Sequence, residues 1–112
     1  MKKTYRIKKE KEFQRIIQKR QSFANRNFIV YVCEAPDNQH FRVGLSVGKK
    51  VGNAVHRNRV KRLMRAVLFD MKDNINPKSN IILIARPPVV NLSFEEVSKN
   101  IEHVFKLANL VK

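Results

Sequence analysis

Apolar and polar positions follow two periods along the chain, and the places where the period changes mark its elements. Across residues 8–21, Phe13, Ile16 and Ile17 fall at i, i+3 and i+4 among charged neighbours. That spacing predicts a helix with one narrow apolar stripe. The run Phe28-Ile29-Val30-Tyr31-Val32-Cys33 is β-branched or aromatic at nearly every position, which suits a strand covered at least partly on both faces. Pro36-Asp37-Asn38 is turn chemistry. Beyond it, Val43, Leu45 and Val47 alternate onto one side of Phe41–Gly48. Two strands joined by a short loop are expected to form a hairpin.

Gly48 and Gly52 then bracket Lys49-Lys50 in a loop, and Asn53 is placed to cap a helix running to about Met71, before Asn74 and Pro77 break the pattern. Ile81-Ile82-Leu83-Ile84-Ala85 is a continuous apolar run of strand length, closed by Pro87-Pro88. The last element opens on a capping box of Ser93 and Glu96, with Leu92 and Val97 spaced for a hydrophobic staple. Val97, Ile101, Val104, Phe105 and Ala108 hold the helical period after it. The order is helix, two or three strands, helix, strand, helix. It predicts a mixed α/β sandwich around one sheet.

Length adds one constraint: 112 residues with a 43% hydrophobic fraction make one domain, residues 1–112, with a real core. Charge changes the picture more. Lys and Arg number 24 against 9 Asp and Glu, a formal +15, and an excess that large repels itself in the compact state unless a polyanion meets it. The single cysteine, Cys33, excludes an internal disulfide, fits a reducing cytosol, and sits in an apolar run as a small buried hydrophobe would. No stretch approaches the roughly 20 apolar residues of a membrane span. Met1-Lys2-Lys3-Thr4-Tyr5-Arg6 is basic without the apolar core of a signal peptide. A cytoplasmic protein with no membrane partner is expected.

The charge concentrates in one segment. From Asn38 to Phe69 there is no carboxylate, while Arg42, Lys49, Lys50, Arg57, Arg59, Lys61, Arg62 and Arg65 all fall inside. Plotted at about 100° per residue, Val60, Leu63, Met64, Val67, Leu68 and Met71 fill one arc of the helix, and Arg57, Asn58, Arg59, Lys61, Arg62 and Arg65 fill most of the rest. A face that is merely solvated interleaves Glu and Asp; this one does not, and it predicts nucleic-acid binding. Five arginines against three lysines suit folded RNA, because the guanidinium fork grips phosphate and stacks on exposed bases. Asn58 offers both donor and acceptor. Backbone N–H groups at Asn53-Ala54, behind a glycine loop, let phosphate approach closely.

No protein-borne catalytic site is expected. Metal-dependent nucleases converge two or more carboxylates, yet Asp70 and Asp73 lie at the far end of the basic helix. Glu95 and Glu96 suit a helix N-terminus, and Glu10 and Glu12 face differently. His40, His56 and His103 lack ligand spacing, and His56 is better placed to touch RNA. Two rivals stand beside the RNA reading: a structural RNA-binding protein, and a helix-turn-helix DNA-binding protein. The second needs a short turn from a preceding helix, where this chain has strands and a glycine loop.

The run from Arg42 to Arg62, RVGLSVGKKVGNAVHRNRVKR, closely resembles the signature of the bacterial ribonuclease P protein subunits, above all in Arg57-Asn58-Arg59 after Gly-x-Ala-Val. The likeness extends to the basic N-terminus, the Phe13 helix, Ala24-Asn25-Arg26 and Ile81–Arg86. It implies an α+β two-layer sandwich of order αβββαβα, with a mixed central sheet and a left-handed βαβ crossover, an exception to the usual hand. It implies a catalytic RNA as partner, with magnesium held mainly by that RNA, and removal of the 5′ leader of precursor tRNA. No obligate protein partner is implied. The RNA-binding positions carried over are Lys49, Lys50, Asn53, His56, Arg57, Asn58, Arg59, Lys61, Arg62 and Arg65. Phe13, Ile17, Tyr31 and Val47 would line a cleft for the leader. Family members often carry an aromatic where Ile17 stands. On the residues alone, plain core packing is the better reading of Phe13 and Tyr31, and the resemblance reverses it.

Overall fold

The computed structural model describes residues 5–19 and 21–111. Met1 to Thr4 of the basic N-terminus lie outside them, as do Arg20 and Lys112. The elements run α1 (Glu10–Gln18), β1 (Ser22–Ala24), β2 (Phe28–Glu34), β3 (Arg42–Val47), α2 (Ala54–Met71), β4 (Ser79–Ala85) and α3 (Phe94–Leu107). This is the expected order αβββαβα in an α+β fold. Short 3-10 turns at Lys49–Val51, Lys72–Asn74 and Pro87–Asn91 join them.

The expected hairpin is not formed. The sheet order is β1-β2-β4-β3, so β4 stands between the two strands that were to pair. β2 meets β4 antiparallel, Phe28 opposite Ala85 and Glu34 opposite Ser79, while β3 meets β4 in parallel. The reason lies in β4 itself. Its apolar run needs cover on both faces, and at the centre of the sheet it has helices on each: Ile81 and Leu83 are fully buried in the larger cluster and Ile82 in the smaller one. The loop after β2 is tied to the start of β4 rather than closing a turn: Ala35 N donates to Lys78 O at 2.8 Å, and Asn38 Nδ2 donates to Asn80 Oδ1 at 2.9 Å. The antiparallel pair adjacent in sequence is β1 with β2. α2 is the crossover between the parallel neighbours β3 and β4.

Strand alternation sends side chains to two faces. Phe28, Val30, Val43, Val47, Ile81, Leu83 and Ala85 enter the main core, where Val60, Met64, Val67 and Leu68 of α2 meet Val97, Ile101, Val104 and Phe105 of α3. The other face carries a smaller cluster, in which Ile82 packs with Ile7 and Ile16, and Phe13, Tyr31, Cys33 and Ile84 are half-buried around them. Thus α2 and α3 share one face and α1 covers part of the second.

The helix starts follow their sequence signals. Asn53 Oδ1 accepts from His56 N at 3.0 Å, and Ser93 with Glu96 forms the full capping box. α1 starts at Lys9 with no side-chain cap. Asn25 explains the Ala24-Asn25-Arg26 step. Its Oδ1 accepts from Asn27 N and Phe28 N, each at 2.9 Å, and its Nδ2 donates to Asn100 O, which clips the β1–β2 turn to α3.

Candidate nucleic-acid interface

The basic face is built by a helix whose opposite side is locked into the core. Val60, Met64, Val67 and Leu68 are fully buried, so rotation of α2 is fixed and its cations are turned outward. At 18 residues and roughly 1.5 Å per residue it is a rod of about 27 Å. His56, Asn58, Arg59 and Arg62 are exposed, and Arg57, Lys61 and Arg65 are half-buried. Asn58, Lys61, Arg62 and Arg65 line one shallow groove together with Val55, which is 74% exposed. An apolar side chain left this bare beside cations suits contact with a sugar or base face.

The approach loop is equally specific. Val51 is buried and anchors the turn, while Lys49 and Lys50 are exposed. Gly52 holds φ at +153°, and a Cβ there would come within 3.0 Å of His56 Cβ. Only glycine lets this backbone turn into the capped start of α2. The loop, Asn53 and the helix thus present one continuous cationic surface.

No ion pair among the described residues neutralises that surface. Among the described residues the ion pairs are Arg42 with Glu12 at 2.6 Å and Lys106 with Glu102 at 3.0 Å; none involves α2. Arg59 reaches only to Leu92 O, at 3.5 Å. Arg57 Nε is buried without a hydrogen-bond partner. Arg65 is lowered from the ordinary arginine range by burial first and by the charge of Arg6 second. It nevertheless stays charged at neutral pH.

The cleft residues divide. Phe13 and Tyr31 share the cluster beneath α1, so the sheet brings two aromatic rings to one face. Ile17 is half-buried on the same helix but outside that cluster. Val47 does not belong. It is 8% exposed and part of the main core with α2 and α3, on the far side of the sheet. Parity is the reason: Val47 keeps step with Val43 and Leu45, whereas Gly44 and Ser46 point toward α1.

Four participants escaped the sequence reading. Ile82 and Ile84 floor the cleft, which follows from alternation once β4 is central. Cys33 is half-buried on this same face rather than in the main core. Gly44 seats Phe13: a Cβ there would stand 2.4 Å from Phe13 Cζ and 2.9 Å from Ile82 Cδ1. A lone glycine in a strand signals such a close approach.

The profile of the family described as Ribonuclease P matches residues 1–109. The chain belongs to the ribonuclease P protein family. The ribonuclease P protein component of Enterococcus faecalis is 60% identical over 99% of this chain and 94% of its own. The solved RNase P protein of Staphylococcus aureus superposes with a TM-score of 0.89 at 44% identity, covering 96% of this chain and 98% of that one. The RNase P protein of Thermotoga maritima keeps the fold, with a TM-score of 0.82, at 24% identity. Within this ribonuclease P protein, no described helix is long and apolar enough to cross a membrane. Among the described residues, no group of three or more His, Cys, Asp and Glu side chains is placed to hold a metal ion.

Proposed function

We propose that this chain is the RNA-binding subunit of a ribonuclease P holoenzyme, gripping the catalytic RNA with α2 and its preceding loop. The observation that carries the reading is the cationic face of α2, with no carboxylate paired to it among the described residues. Lys49, Lys50, Asn53, His56, Arg57, Asn58, Arg59, Lys61, Arg62 and Arg65 form that grip. Phosphates of a folded RNA supply the missing counter-charge, and the guanidinium forks supply the geometry.

The cleft between α1 and the sheet takes the single-stranded 5′ leader of precursor tRNA, with bases stacked on Phe13 and Tyr31. Ile17, on the same helix, offers no ring for stacking. Hydrolysis of one phosphodiester bond is the work of the RNA. Magnesium, in this reading, is held mainly by the RNA. No step passes through a protein-bound ion. The setting is the cytoplasm, without a membrane or an obligate protein partner.

The test is cleavage of a precursor tRNA by a bacterial ribonuclease P RNA at low magnesium, with and without the protein. The protein is expected to be inert alone and to restore cleavage by the RNA. Unchanged cleavage alongside retained RNA binding would leave a structural RNA-binding role instead. We predict further that Tyr31→Ala weakens affinity for leader-bearing precursor by about 1–3 kcal/mol and leaves leaderless tRNA unaffected. An equal loss for both substrates would remove Tyr31 from the leader path.

A further inference from the structure

The leader cleft and the basic helix lie on opposite faces of the sheet, and one pocket joins them around its edge. β3 is the edge strand, and the chain at Arg6 and Ile7 runs along it: Arg6 bridges Val43 in parallel, and Ile7 N donates to Val43 O at 2.9 Å. Beside this bridge is a pocket of about 150 Å³. Four cations line it, Arg6, Lys8, Lys61 and Arg65, against an apolar wall of Phe13 and Val43. Phe13 also belongs to the cleft cluster. Lys61 and Arg65 also line the α2 groove.

The electrostatics of the pocket are unfinished. Arg6 Nε is shut off from solvent, and among the described residues it has no hydrogen-bond partner. Arg6 and Arg65 lie close enough for one charge to depress the other's proton affinity. Glu12 of α1 is occupied by Arg42, and no carboxylate lines the pocket. Like charges gathered in a half-buried recess are unfavourable until an anion arrives. A carboxylate ligand would satisfy charge but leave the Phe13 wall unused, whereas a sugar-phosphate unit uses both. At about 150 Å³ the pocket is too small for a folded RNA helix and suits one backbone phosphate.

We propose that this pocket is a phosphodiester site, in which Arg6, Lys61 and Arg65 hold one phosphate of the single-stranded leader as the strand turns around the β3 edge. The assignment to the leader rests on the cleft reading above. The phosphate chemistry does not.

The test has two arms. In the first, the full chain alone is titrated with a single-stranded ribo-trinucleotide while arginine Nε–H resonances are followed by NMR. Those of Arg6 and Arg65 are expected to shift together and saturably, with that of Arg26 unmoved. A trinucleotide with neutral methylphosphonate linkages is expected to move neither. Shifts spread evenly over the arginines, or equal shifts with the neutral probe, overturn the site.

In the second arm, holoenzymes carrying Arg6→Gln or Arg6→Lys are compared for binding of leader-bearing and leaderless tRNA. The Gln variant is expected to lose about tenfold in affinity for the leader-bearing substrate alone, with the Lys variant intermediate. An equal loss for both substrates, after a positive first arm, overturns the leader assignment and gives the phosphate to the catalytic RNA. If the leader does not change affinity even in the wild-type holoenzyme, the cleft reading fails, and the pocket stands or falls on the first arm.

Discussion

Under α2 and α3 the sheet belongs to a cluster of twenty buried residues, whereas the cluster under α1 has three. The first face is sealed by a capped helix of 18 residues and another of 14. The second is half covered by nine residues whose helix lacks a side-chain cap. An isolated helix that short is marginal in water, so α1 depends on Phe13 and Ile16 for its place. The contrast separates two uses of apolar surface. One face holds the fold together and aims the cations of α2; the other keeps aromatic area within reach of a ligand.

The contrast can be broken by mutation. We predict that Phe105→Ala, at the centre of the sealed face, lowers unfolding free energy by about 3–5 kcal/mol in urea titrations. Ile16→Ala is expected at or below about 2 kcal/mol, the low end for such truncations. Equal losses would mean that the α1 face carries the fold as much as the other. Next in size is Gly44→Ala. Its Cβ collides with Phe13 and Ile82, so a loss of about 1–3 kcal/mol from overpacking is expected. Leader affinity should fall with it while association with the catalytic RNA holds. Recovery of stability, but not of leader affinity, in the double variant with Phe13→Leu would tie the overpacking to this one contact. The smallest effect is expected of Asn53→Ala, about 1 kcal/mol from loss of the α2 cap. A change in RNA affinity beyond that of the fold would show the cap itself to be part of the grip.

What the sequence makes legible is local. Asn53, Ser93 and Glu96 announce their helix starts because a cap is a contract between residues three apart. The arc of Val60, Met64, Val67 and Leu68 locates the core side of α2, and so the cationic side as well. Strand order is different. Phe28–Cys33 and Arg42–Val47 look like hairpin partners until the burial demands of Ile81–Ala85 are weighed against theirs, and that competition is settled only in three dimensions. Val47 shows the same limit: alternation groups it with Val43 and Leu45 without saying which helix lies over them. The pocket of Arg6 and Arg65 was invisible because its members come from opposite sides of β3 and meet only once that strand becomes an edge.

The central position of β4 also governs the order of assembly. Both long ladders of the sheet are made to Ser79–Ala85, so a nascent chain that ends before Ser79 has β2 and β3 without their common neighbour. The turn joining β1 to β2 can close early, because its partners are near in sequence. α2 precedes in the chain the strand that completes its platform. Completion of the sheet under α2 therefore waits on the last third of the chain.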